Sequence, residues 1–366
     1  MTARIVLLGA TGYTGARTAE ALVRRGARPV LAGRDPERLA ELAGRLDGLE
    51  TARADVTDPR SVRELIGPGD VLVSTVGPFL RLGRAAVDAA VDAGAVYLDS
   101  TGEPPFIRRV LEDDAIRAAA RGATLVPAFG LDYVPGNLAG AHALAEAGDR
   151  AHRLDVGYGL EGTSGQAFSR GTLVSVMGLL LEPGFAFTGG RVVDEAAGRR
   201  LWRFEAGGRP RRGLSVGGSE HLTMPPLAPP LREVGVHLDW FGPLTSVAHR
   251  LAPLTGLVGR LPGSARAAQR LAGVVGARVA EAPSRATIER ARTHTVAEVR
   301  DDRGARVSHV QVSGPEAYGL TAAMLAWGAT RAAEHGVLAT GATGPVQAFG
   351  LEALTDGAAE AGLVRT

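Results

Sequence analysis

The chain has no cysteine among its 366 residues. Disulfides, thiol nucleophiles and thiolate metal sites are therefore excluded. It has no lysine either, so all 41 basic residues are arginine. That removes the Tyr-x-x-x-Lys pair of many short-chain dehydrogenases, a lysine Schiff base and a Walker-type phosphate lysine. Neither sign of charge dominates: 41 basic and 39 acidic residues leave a net charge of +2. No basic patch with interleaved aromatics occurs, so nucleic acid is not an expected partner. No HExxH or clustered histidine and carboxylate motif is present, and no metal is expected. No G-x-S-x-G elbow supports Ser-His-Asp chemistry. No stretch reaches the roughly 18 uninterrupted apolar residues of a membrane span. The first apolar run is short and ends in a glycine turn, unlike a secretory leader. A cytoplasmic enzyme is the expectation that these absences leave.

What is present begins at Arg4–Gly15, R-I-V-L-L-G-A-T-G-Y-T-G. Ile5–Leu8 is an unbroken apolar run, as a strand buried on both faces requires. Gly9, Gly12 and Gly15 punctuate the turn that follows, and Ala16, Ala19, Leu22 and Val23 then recur at helical spacing. Strand, glycine turn and helix in that order predict the first unit of a dinucleotide-binding fold. Gly9 should permit the turn, Gly12 the approach of a pyrophosphate, and Gly15 close packing of helix on strand. Thr11, Tyr13 and Thr14 complete the turn expected to hold the phosphates at the helix N-terminus. The second strand ends in Ala32-Gly33-Arg34, where an NAD-preferring enzyme places a carboxylate for the ribose hydroxyl. Arg34 instead suits a 2′-phosphate, which predicts NADP(H). The competing reading makes Arg34 a surface residue beside the helix that Asp35 caps and Pro36 opens.

The pattern repeats. Glu50–Ala54, Asp70–Val76, Ala95–Leu98 and Ala123–Ala128 read as further strands, alternating with helices at Pro36–Leu46, from Pro59, at Ala85–Ala93 and at Phe106–Arg121. The fold class expected is α/β, a Rossmann-type doubly wound parallel sheet, with ligands at the carboxyl ends of the strands. Asp55, at the third strand end, is placed beside the adenine. The length suits about two domains. From Leu154 the pattern becomes β-rich and alternating, and a hairpin is expected at Thr293–Asp301 and Arg306–Ser313. A strongly apolar helix over Ser169–Leu181 and an apolar segment over Leu244–Leu261 suit core, a dimer surface or a lipophilic channel. The expected organisation is a nucleotide domain over residues 1–140, to which a C-terminal helix in 341–366 returns. Residues 141–340 form an α+β domain for substrate and dimerisation, its sheet mostly antiparallel.

Four motifs in order carry a resemblance: G-A-T-G-Y-T-G, S-T-V-G-P-F at Ser74–Phe79, Y-L-D-S-T-G-E-P at Tyr97–Pro104, and P-A-F-G-L-D-Y-V-P-G-N-L at Pro127–Leu138. Together they resemble the saccharopine dehydrogenase-like NADP-dependent reductases. The Asp132-Tyr133-Val134-Pro135-Gly136 variant is similar to the trans-acting enoyl reductase-like branch. The resemblance implies that Val76, Gly77 and Pro78 border the cofactor and that Asp132 lies where nicotinamide meets substrate. Asp132 is then a candidate proton donor or substrate anchor, and Tyr133 a candidate donor to an enolate. The structural alternative makes Asp132 the cap of the helix that Pro135 opens. His221 and Arg170 are second-domain candidates beside glycine-rich turns.

The expected function is NADPH-dependent reduction of a polarised C=C bond in a hydrophobic, small or carrier-linked intermediate, by a homodimer. Reduction of an imine, including reductive joining of an amine and a keto acid, needs the same cofactor geometry. A non-enzymatic NADP(H)-sensing regulator is the third reading.

Overall fold

Five of the apolar runs become strands that are buried throughout or nearly so, and these lie next to one another. In the computed structural model, which describes residues 3–162, 184–240, 245–246, 249–250, 252 and 285–366, the first strands are β1 (Ile5–Leu8), β2 (Val30–Gly33), β3 (Thr51–Arg53), β4 (Val71–Ser74), β5 (Val96–Asp99) and β6 (Thr124–Val126). A further strand, Gly341–Ala342, comes from near the C-terminus and pairs with β6. The sheet order is Gly341–Ala342, β6, β5, β4, β1, β2, β3. Every pair in it is parallel. From β1 the chain first runs outward through β2 and β3, then crosses to β4 on the other side of β1. A crevice outside the carboxyl ends of β1 and β4 is where such a reversal places a ligand.

Local chemistry sets the helices that separate these strands. Gly12 caps the helix Tyr13–Arg24, which buries Gly15, Thr18, Ala19, Ala21 and Leu22. Asp35 accepts from the amides of Glu37 and Arg38 at the start of Pro36–Arg45, and Asp58 accepts from Arg60 at the start of Pro59–Arg63. Each has proline in its first turn, where a missing N–H costs nothing. The helix expected over Phe106–Arg121 is three shorter pieces, Pro104–Arg108, Arg109–Asp113 and Ala115–Ala120. At its last break Asp114 is a buried carboxylate clasped by Arg84 and Arg117.

The chain divides into two compact units. One comprises residues 1–102, 106–134 and 318–362; the other comprises 103–105, 135–317 and 363–366. The return to the nucleotide unit therefore starts earlier than the expected 341, with the helix Ala317–His335. Its packing explains why. Trp327 stacks on Phe129 at 6.3 Å and meets Phe349 at 5.1 Å, and Gly328 lets the Phe129 ring and Leu98 approach the helix backbone. The expected C-terminal helix is present as Pro345–Phe349 and Leu351–Glu360, but the last residues, Val364–Arg365, form a strand of the other unit.

The second unit is built on a mixed sheet. Its strands are β7 (Arg153–Glu161), β8 (Phe185–Thr188), β9 (Arg191–Asp194), β10 (Leu201–Ala206), β11 (Arg209–Ser215), β12 (Glu233–Asp239), β13 (Arg292–Arg300) and β14 (Arg306–Gly314), joined by Val364–Arg365. The order is β10, β11, β12, β7, β13, β14, Val364–Arg365, with β8 on β12 and β9 on β8. Only β7–β12 is parallel among these pairs. The β10–β11 hairpin folds over the sheet: the Phe204 ring lies directly on Gly157 of β7 and Gly213 of β11, and clusters with Val296 of β13. A side chain at Gly157 would occupy the space of that ring. The apolar helix expected at Ser169–Leu181 lies outside the described residues, and so does most of Leu244–Leu261. Among the described residues no helix is long and apolar enough to cross a membrane.

Candidate functional site

The phosphate turn follows from three close approaches. Gly9 has φ +87°, and a Cβ there would lie 2.8 Å from both Thr75 Oγ1 and Val76 Cγ2. Only glycine takes that backbone and that contact without strain. A Cβ at Gly15 would collide with the Gly9 carbonyl oxygen, so helix and turn touch through backbone alone. Gly12 is exposed, and its missing Cβ would meet only the Gly9 oxygen, at 3.3 Å. The helix that it caps has no acidic residue in its first turn and no side-chain cap. Open backbone on a helix N-terminus with no competing carboxylate fits a pyrophosphate. Thr75 clips the turn from β4, its hydroxyl donating to the Leu8 and Gly9 carbonyls at 3.2 Å. Gly15→Ala is expected to cost about 1–3 kcal/mol of stability through overpacking and to weaken cofactor binding. Thermal denaturation with and without NADPH measures both.

The other expected turn residues have defined contacts. The Thr11 carbonyl accepts from Arg38 at 3.0 Å, and that of Thr14 accepts from the Thr18 hydroxyl at 2.9 Å. Tyr13 meets Tyr318 edge-on at 5.0 Å, and its hydroxyl accepts from Arg17 at 3.0 Å.

Beyond the turn lies an arginine-rich end. Arg34 is exposed, directly after β2. Asp55, after β3, accepts from the Thr57 amide at 2.9 Å and its hydroxyl at 2.8 Å. Those bonds, and then the charges of Arg34 and Arg53, hold its carboxyl below the usual range. Arg34 and Arg53 thus share one neighbourhood, and Arg38 reaches from the same helix start to the phosphate turn. Sequence reasoning passed over Arg38 and Thr75. Arg38 stands one helical turn after Arg34, and Thr75 lies inside S-T-V-G-P-F, so both had a signal.

At the other end, Val76 lies against Gly9, while Gly77 and Pro78 are exposed and joined by a cis peptide bond. β5 ends in Asp99, which is fully buried. Its Oδ1 accepts from the amides of Thr101 at 2.9 Å and Ala128 at 2.8 Å. It therefore ties the end of β5 to the segment after β6, where Ala128 takes φ +60°. That segment delivers Asp132, half-buried, with its carboxyl oxygen 2.9 Å from where a Gly102 Cβ would stand. Burial raises the Asp132 pKa to about 7. Tyr133 follows across a cis peptide bond and is buried. The glycine turn, Val76–Pro78, Gly102 and Asp132 all belong to the nucleotide unit.

His221 belongs to the second unit, where it is a core histidine. It is buried, with Nδ1 3.1 Å from the Gly218 amide nitrogen and the ring edge-on to Phe185 at 5.6 Å. Burial depresses its pKa to about 4, so the ring is uncharged at neutral pH. His237 is buried likewise, and also falls to about 4. Both depart from an ordinary value of 6.5, so each adds stability that is present above 6.5 and lost as pH falls toward 4. Each full proton taken up on unfolding contributes about 1.4 kcal/mol per pH unit. Unfolding free energies measured across that window should show the slope, and replacing His237 by an apolar residue should reduce it. Arg170 lies outside the described residues.

The last part of the fourth motif has a structural account. Gly136 leaves room for Tyr158 and Glu220, whose hydroxyl and carboxylate lie where its Cβ would be, and its amide donates to the Tyr158 hydroxyl at 3.0 Å. Asn137 donates to Ser219 at 2.8 Å and accepts from Thr223 at 2.7 Å. These bonds fasten the helix Val134–Ala147 to the helix Glu220–Thr223 within the second unit.

Comparison with known proteins agrees with the geometry. Residues 9–102 match a family described as NAD(P)H-binding. The chain is 37% identical over 151 residues to a trans-acting enoyl reductase of Mycobacterium ulcerans, covering 40% of this chain and 36% of that protein. It is 40% identical over 140 residues to a trans-acting enoyl reductase of Mycobacterium leprae, covering 37% and 34%. The chain thus spans well under half the length of these relatives. Saccharopine dehydrogenase (L-Glu forming) from Saccharomyces cerevisiae shares the fold, with a TM-score of 0.62 over 100% of this chain and 99% of that one, at 13% identity.

Proposed function

We propose that this chain is an NADPH-dependent reductase of a polarised carbon–carbon double bond, acting on a hydrophobic, carrier-linked thioester. Asp132 carries the reading. It is a carboxyl whose pKa burial raises to about 7, on the segment after β6 and against Gly102 after β5. NADPH supplies the hydride. The turn at Gly9–Gly15 would bind its pyrophosphate, Arg34 its 2′-phosphate, and Val76–Pro78 would border its nicotinamide. Hydride addition to the β-carbon leaves an electron pair conjugated with the thioester carbonyl, and one proton must then reach the α-carbon. Asp132 gives that proton and is recharged from solvent, a role that needs a pKa near the working pH. The names of the mycobacterial relatives support the choice of an enoyl substrate.

The test is NADPH consumption by the purified protein with trans-2-enoyl thioesters, followed by identification of the saturated product. Turnover is expected with medium or long acyl chains. Turnover confined to cyclic imines would replace this reading with imine reduction. Tight NADPH binding without turnover on either class would favour a sensor.

A further inference from the structure

We propose that Thr321 is a positioning residue for Asp132, fixing the backbone turn on which that carboxyl is carried. The inference rests on the reductase reading only for its kinetic readout. The Leu131 amide, immediately before Asp132, donates to the Thr321 hydroxyl at 3.1 Å. Leu131 is buried, so this amide has little access to water in place of that oxygen. The approach is tight: a Cβ on Gly130 would lie 2.7 Å from Thr321 Cγ2 and 3.0 Å from Oγ1. Glycine at 130 is thus what allows Thr321 to reach the next amide.

Four other amides of the segment are tied elsewhere. Ala128 donates to the Asp99 carboxylate at 2.8 Å and Phe129 to the Asp99 carbonyl at 2.7 Å. Tyr133 donates to Ala128 at 2.9 Å and Val134 to Gly130 at 2.9 Å. Asp99 therefore holds the start of the turn, and the turn's own carbonyls hold its end. Thr321 holds the middle from a helix 190 residues further along the chain. That helix is itself anchored on both sides of Thr321. Tyr318 lies on Tyr13 of the phosphate turn at 5.0 Å, and Trp327 stacks on Phe129 at 6.3 Å. A hydroxyl on so fixed an element defines where Leu131, and hence Asp132, can stand. The loss of one buried acceptor leaves the amide unsatisfied and the turn free to shift, and a small misplacement of a reacting group costs rate out of proportion to its size.

Thr321→Val keeps the shape and removes the acceptor, and Thr321→Ser keeps the acceptor and removes the methyl. In the full chain, Val is expected to lower kcat about tenfold or more with the KM for NADPH unchanged, while Ser restores most of kcat. An independent readout does not need turnover: the carbon-13 carboxyl titration of Asp132, assigned by comparison with Asp132→Asn, should move in Val and return in Ser. Burial is the cause of the Asp132 shift, so movement of that titration reports a change in how the carboxyl is buried. Wild-type kinetics together with an unmoved titration in Val would overturn the proposal. So would a Ser variant as impaired as Val, because packing of the methyl would then be what matters. An inactive wild-type chain with a Val-sensitive titration would sink the enoyl reading and leave the positioning role standing.

Discussion

Asp132→Asn is expected to lower kcat for enoyl-thioester reduction by about 10²- to 10⁴-fold, the range of a lost general acid, while NADPH binds as before. Asparagine preserves the size of the side chain beside Gly102 and removes only its transferable proton. The wild-type pH profile should carry the same signature. Burial raises the carboxyl from its ordinary 3.8 to about 7, and the proton donor is the neutral form. Activity should therefore be full below pH 7 and decline about tenfold per unit above it. Stability gives a second readout of opposite practical value. A carboxyl whose folded pKa is raised favours the folded state most below its unfolded pKa, and that advantage is lost as pH rises through about 7. Asp132→Asn should thus melt at a higher temperature than wild type at pH 8 and lose that advantage at pH 4. A variant that kept wild-type kcat would assign the proton to another group and leave Asp132 as a residue at the start of the helix that follows.

Much of the nucleotide unit is legible because its signals are local. Each of β1, β4 and β5 is a short apolar run ended by a polar or small residue, and the helices Pro36–Arg45 and Pro59–Arg63 each start with a capping aspartate and a proline. Gly9 and Gly15 are readable for the same reason, since their contacts lie within a few residues or on the adjoining strand. What is not legible is membership across long separations. The helix Ala317–His335 buries residues on most of its faces, including Leu320, Met324, Trp327 and Thr330, so no single stripe in its sequence tells which unit it joins. The strand Gly341–Ala342 is two small residues whose pairing with β6 depends entirely on where that helix leaves the chain. Thr321 has no motif at all. Its role arises because Gly130, in another segment, lacks a side chain. The β8–β9 hairpin is a different case: Gly189 and Gly190, both at positive φ, stand between two short β-prone runs and are a readable turn. His221 shows the converse. A histidine beside glycines resembles a reactive group in sequence, and burial makes it an uncharged core residue.

Arg34→Ala should raise the dissociation constant for NADPH about 10- to 100-fold and leave that for NADH within about twofold, as loss of charge-assisted bonds to a phosphate implies. The argument turns on what else occupies the end of β2. Asp35, two residues past that strand end, is committed to the Glu37 and Arg38 amides, and Asp55, nearby, is committed to Thr57. Arg34 itself makes no hydrogen bond among the described residues, so its guanidinium is available to a ligand at little cost in internal contacts. Arg38 differs. Its donation to the Thr11 carbonyl braces the turn that both cofactors would use. Arg38→Ala should therefore weaken NADPH and NADH together, whereas Arg34→Ala should discriminate between them. The NADPH effect should shrink as salt is raised, because an exposed guanidinium–phosphate pair is screened. Equal losses for the two cofactors in Arg34→Ala would show that Arg34 supports the loop and does not read the 2′-phosphate.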